Sequence, residues 1–206
     1  MELIADQVAV AGVHGPLLLP TSLRATPARV TLVAGDPGYG HVALALALGG
    51  RVPLRAGSVT LEGAAAPAVL RRHVALVDVP DVTAPEEALT VRAVMAEQLA
   101  LAGRPSGRAA TRALLRGWGD EQKAKDRFET LPPHERTVLL MRVAASRAST
   151  TVLVVAAPDR WGGEPHRWWQ AAEDLAAQGL TVVVQCTHAT ARDLGQPVHH
   201  ELGVAA

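Results

Sequence analysis

Gly35-Asp36-Pro37-Gly38-Tyr39-Gly40-His41-Val42 carries the glycine spacing of a phosphate-binding loop. The six residues before it, Arg29 to Ala34, form a short apolar, partly β-branched run suited to a buried parallel strand. The residues after it, Val42 to Leu48, alternate alanine and leucine and close on Gly49 and Gly50, as a helix would. The order strand, glycine loop, helix is what such a loop requires. In a working loop, backbone amides cradle the phosphates, a lysine supplies a point charge and a Ser or Thr hydroxyl binds magnesium. His41 and Val42 stand in those last two places. A histidine is shorter than lysine and mostly neutral near pH 7, and valine has no oxygen for a hard cation.

Further along, the spacing predicts a buried strand at His73 to Val79, before Pro80 and Pro85. Helices are expected over Glu86 to Gly103, Arg108 to Gly117, and from the prolines of Leu131-Pro132-Pro133-His134-Glu135 toward Ala148. A strand at Thr151 to Ala156, a helix at Arg167 to Gln178 capped by Gly179, and a strand at Leu180 to Cys186 complete the pattern. Strands alternating with helices predict an α/β domain with a mostly parallel sheet, and the β-like first sixty residues add an antiparallel piece. With no repeat or low-complexity linker, residues 1–206 are expected to form a single domain.

The totals narrow the function classes. Twenty basic residues balance twenty acidic ones, so the broad positive footprint of a nucleic-acid binder is missing, although a local basic patch stays open. Cys186 is the only cysteine, which excludes an internal disulfide and a cysteine metal cluster and fits a reducing, cytoplasmic setting. The opening residues lack the basic and apolar regions of a signal peptide, and the apolar windows are shorter than the ~20 residues that cross a bilayer. Direct membrane insertion is not expected, and any membrane association would go through a partner.

Beyond the loop, the order of motifs resembles the ATP-binding subunits of ABC transporters across nearly the whole chain. Gly57 to Gly63 is similar to the hairpin after the family's first helix, and Arg71 to Val77 to the strand leading to its glutamine loop. Ala88-Leu89-Thr90-Val91 resembles the phrase that opens the family's helical subdomain, placed here at roughly 86–148. Leu131 to Glu135 falls where the signature Leu-Ser-Gly-Gly-Gln belongs, Val152 to Pro158 where the Walker B strand belongs, and His188 matches the switch histidine.

The departures from the family pattern are systematic. Val79, or Asp78 in a shifted register, replaces the loop glutamine; prolines and His134 replace the signature serine and glycines. Ala156 and Ala157 replace the magnesium-bound aspartate and the catalytic glutamate. The resemblance thus implies a degenerate nucleotide site at Gly35, Gly38, Tyr39, Gly40, His41, Val42 and His188 that takes ATP weakly or not at all, with no catalytic residue and no metal ligand. It also implies a pseudo-ATPase that partners a membrane permease, an active ATPase subunit or a second copy of itself, at the inner face of the membrane. An ATP-binding or slowly hydrolysing subunit completed by a partner stays open, as does a regulator binding another phosphate through the Gly38 to Val42 amides. An unrelated enzyme using Asp36, His41, Asp159 and Glu164 is the remaining rival, with no triad or paired-carboxylate spacing behind it.

Three of the four tryptophans lie in Trp161 to Trp169. Trp168 fits the core face of its helix; Trp161 and Trp169 are read as lying off it, as partner contacts, since tryptophan is favoured in interface hot spots. His14 falls near the family's adenine-stacking aromatic but reads as a surface histidine. His199 and His200 are adjacent without a third ligand nearby, which argues against a metal site.

Overall fold

The computed structural model describes residues 1–203. Two sheets carry the fold. Strands β1 (Leu3–Ala11), β2 (Pro16–Ala25) and β4 (Ala56–Leu61) form an antiparallel sheet in the order β2-β1-β4. Strands β3 (Val30–Gly35), β5 (Val74–Val77), β6 (Val152–Ala156), β7 (Thr181–Thr187) and β8 (His200–Glu201) form a parallel sheet in the order β5-β6-β7-β3-β8. The helices are α1 (Tyr39–Leu48), α2 (Pro67–His73), α3 (Val91–Leu101), α4 (Arg108–Trp118), α5 (Pro133–Ala145), α6 (Pro165–Ala177) and α7 (His188–Leu194).

Alternation along the parallel strands explains why both faces of that sheet are covered. In β6, Leu153 and Val155 point to a core shared with α3, α5 and α6. Val152, Val154 and Ala156 point the other way, into a core shared with α1 and the antiparallel sheet. The expected α/β architecture with an antiparallel piece and a helical subdomain is the one observed.

Several boundaries differ from expectation for identifiable reasons. Thr90 caps α3 by accepting from the Ala93 amide, so that helix begins at Val91 and residues 78–89 form a loop. Pro67 opens α2, which takes in His73, so β5 starts at Val74. Asp78 adopts φ +58 and turns the chain out of the sheet. Trp169 is buried, contrary to its expected placement off the core face. Trp168, Trp169, Ala172, Leu175 and Ala176 are all buried, because Trp169, Ala172 and Ala176 follow the three-and-four spacing that widens a helical stripe. Its indole N–H donates to Glu173 at 2.9 Å, and its ring meets Trp168 edge-on.

Candidate functional site

The carboxyl ends of the parallel strands converge, where open α/β sheets bind ligands. The loop 36–38 follows β3, Asp78 follows β5, Ala157 follows β6, and His188 follows β7.

At the loop, Gly38 is the N-cap of α1 at φ +155, and a Cβ there would meet nothing within 4 Å. Gly35 and Gly40 are glycines for another reason. A Cβ on Gly35 would stand 2.6 Å from the Leu202 Cβ, and one on Gly40 would stand 2.9 Å from Leu202 Cδ2. The strand β8 beside β3 brings Leu202 there, its amide donating to the Ala34 carbonyl at 2.7 Å. Tyr39 is exposed, and Val42 packs against the core beneath the loop.

His41 turns inward. It is 2% exposed, and neither ring nitrogen has a hydrogen-bond partner among the described residues. Burial pushes its pKa down, and the Asp159 charge offsets part of that shift. Gln185 of β7 is also fully buried with an unpartnered amide. Asp159 Oδ2 accepts from the Thr187 amide at 2.9 Å and from the Thr187 and Thr190 hydroxyls at 2.7 Å each, while its Oδ1 has no partner. His41 is therefore a desolvated imidazole buried near Asp159, Gln185 and the backbone of Gly35 and Asp36.

The ends of β5 and β6 are tied by a buried ion pair. Arg160 Nη2 lies 2.7 Å from Asp78 Oδ1, and Arg160 Nη1 donates to the Ala156 and Ala157 carbonyls at 3.3 Å. Burial raises the Asp78 pKa, and the hydrogen bond and charge of Arg160 work against that rise. The guanidinium thus stands beside Ala156 and Ala157 and holds the Asp78 carboxylate. Composition gave no hint of this pair; opposite charges at the ends of two strands were its one signal, and only the strand order makes them neighbours.

Two prolines open α5. Pro132 is the N-cap of α5 and Pro133 its first residue, so neither offers an N–H to an anion. Glu135 supplies negative charge to the first turn and pairs with Lys123 at 2.7 Å. His188 Nε2 lies 2.8 Å from the Glu201 carboxylate, with Asp36 Oδ1 4.0 Å from its Nδ1. Trp161 is 48% exposed, with the guanidiniums of Arg136 and Arg160 at 5.4 and 5.1 Å from its ring centroid.

The other candidates disperse. His14 is exposed in the β1–β2 turn. His199 Nδ1 accepts from the Leu32 amide and His200 Nε2 from the Arg24 amide, so both serve the backbone. Glu164 is exposed and pairs with Arg167. No metal-holding group of His, Cys, Asp and Glu occurs among the described residues.

With this geometry in view, solved structures give a consistent comparison. An ATP-binding subunit of an ABC transporter superposes at TM-score 0.64 and 17% identity, over 94% of this chain and 83% of that one. A nucleotide-free ATP-binding cassette from an ABC transporter gives TM-score 0.68 at 16% identity, over 99% and 92%. The fold is that of an ABC-transporter ATP-binding subunit. A Pyrococcus furiosus protein described as an ABC transporter ATP-binding protein also shares this fold, at TM-score 0.67 and 11% identity over 91% of this chain and 92% of that one. No family model and no curated protein matches the chain.

The ABC fold implies magnesium and ATP, and the residues present do not fit the metal. Magnesium demands oxygen ligands in octahedral array. Val42, Ala156 and Ala157 carry no side-chain oxygen, and the Asp78 carboxylate is held by Arg160.

Proposed function

We propose that the chain is a non-hydrolysing ABC-type subunit that acts as a structural or regulatory partner of a membrane permease or of an active ATPase subunit. The observation that carries this reading is the Asp78–Arg160 pair beside Ala156 and Ala157. Phosphoryl transfer needs a metal anchor and an activated water, and a salt bridge that holds β5 to β6 at these strand ends supports the non-hydrolysing reading. His41, buried and held toward its neutral form, supplies no cation in place of the lysine.

Two surface features support the partner role. A cavity of about 300 Å3 between the 78–89 loop and the helical subdomain is rimmed by the exposed side chains of Val82 and Leu101. Exposed apolar surface on a concave rim suits a docked helix or loop. Trp161, half exposed between two arginines, offers an anchor for a second subunit. No helix among the described residues is long and apolar enough to cross a membrane, so contact with a permease would be peripheral.

The test is affinity capture of the tagged protein from its native cells, with an ATPase assay on what is recovered. The reading expects a permease or ATPase subunit to copurify, Leu101→Glu or Trp161→Ala to reduce that recovery, and the isolated chain to lack turnover. A monomer that recovers neither class of protein, or that hydrolyses ATP unaided, would overturn it.

A further inference from the structure

The helical subdomain holds a concave basic groove of about 440 Å3, lined from three elements: Arg92 of α3, Arg108, Arg112 and Leu115 of α4, and Glu121, Gln122, Ala124 and Lys125 of the 3-10 turn Glu121–Lys125. Four cations face one carboxylate, in a chain whose total charge is zero. Arg112 and Arg116 both bond Glu121, and their guanidiniums, Arg116 first, pull its pKa down to about 2. Among the described residues Arg92, Arg108 and Lys125 form no ion pair or hydrogen bond through their side chains, and all three are exposed. The single acid is therefore already committed and the remaining charge is uncompensated.

The placement of the arginines works against the helices that carry them. Arg92 is the second residue of α3 and Arg108 the first of α4, and neither first turn contains an acid. Cations there oppose the positive end of the helix dipole, a position where acids are favoured. Two helices converge with the same unfavourable choice on one groove, and the positive ends of both add to its potential. Leu115 and Ala124 give the groove an apolar floor. Its volume lies in the range of small-molecule sites, roughly 300 to 1,000 Å3, and arginine forks match carboxylate and phosphate oxygens two at a time.

We infer that this groove binds a small polyanion, a di- or tricarboxylate or a phosphate ester, gripped by Arg92, Arg108 and Lys125. The site is separate from the glycine loop and does not depend on the function proposed above. Such a ligand would bridge α3, α4 and the 3-10 turn and make the subdomain sensitive to a metabolite.

The experiment titrates the full chain with citrate and with pyrophosphate by calorimetry at low ionic strength, and maps each titration by amide chemical shifts. The expected result is saturable one-to-one binding that weakens with salt, with shifts centred on Arg92, Arg108 and Lys125. Citrate binding alone, or pyrophosphate binding alone, identifies the carboxylate or the phosphate as the preferred source. The double variant Arg92→Gln with Arg108→Gln should lose at least about tenfold in affinity, since each charge-assisted bond carries roughly that much. Removing the same charge at the exposed Arg72 and Arg192 should change affinity little, and the unaltered melting temperature of each variant certifies folding. No saturation by either anion, equal losses in both double variants, or shifts centred on Gly38 to Val42 would each overturn the inference.

Discussion

Replacing Arg160 with methionine strands the Asp78 carboxylate, which is 6% exposed, without its 2.7 Å partner. Breaking a buried ion pair from one side costs about 3–5 kcal/mol. Arg160 keeps some contact with water, its side chain being 19% exposed, so the lower end of that range applies, and the methionine restores part of the lost packing. Its bonds to Ala156 and Ala157 are long at 3.3 Å and add only tenths. The net expectation is about 3 kcal/mol, or a fall in Tm of about 6–12 °C for a domain of this size. The companion Asp78→Asn keeps a side chain that tolerates φ +58 and removes the stranded charge, so the double variant should recover about half of the loss or more. The loss should also shrink in acid. Burial holds the Asp78 pKa above its unfolded value, so as pH falls through the folded pKa the stranded carboxyl takes a proton and its penalty disappears. Urea unfolding of the four proteins of this cycle at pH 7 and pH 5 is the assay. A single-variant loss under about 1 kcal/mol, or additive losses in the double variant, would refute the account of Asp78 and Arg160 as a buried, energetically coupled pair.

Three further outcomes follow from the same geometry. Gly35→Ala should destabilise by about 1–3 kcal/mol through its clash with Leu202, and Leu202→Ala in the same chain should relieve most of that, as thermal melts of the pair would record. His41 has a folded pKa below its unfolded value; its contribution to stability is therefore complete above about pH 6.5 and is lost as pH falls below that value. Urea midpoints between pH 7 and pH 5 should drop in the native chain and drop less in His41→Gln. Cys186 is buried and burial pushes its thiol up to about 12, so a thiol reagent at pH 8 should label it only after unfolding. Rapid labelling of the folded protein would contradict that placement.

The loop and α1 were legible because three local signals agreed: a β-branched run, spaced glycines, and an alanine-leucine helix ending in Gly49. The strands β6 and β7 were legible for a similar reason, since a strand buried on both faces reads as a continuous apolar run. His41, Val42, Ala156 and Ala157 were also legible as residues whose side chains differ from those the family resemblance leads one to expect at those places. Chain segments without periodicity hid the rest. The two-residue strand β8 and the short α7 are held by pairing with β3 and by the Thr187 cap, which no window of sequence reveals. The inward turn of His41 and the Asp78–Arg160 pair depend on residues 144 and 82 positions apart finding one another through the order of the sheet, in the case of Gln185 and Arg160 respectively. Trp169 was misplaced because a two-spacing rule draws the apolar stripe narrower than a packed helix makes it.

The proposed non-hydrolysing role is tested most directly by titrating the purified chain with ATP and magnesium by calorimetry, beside an ADP control. The account predicts no saturable heat up to millimolar nucleotide. Saturable binding that requires magnesium and is abolished by substituting Gly40 or His41 would contradict it.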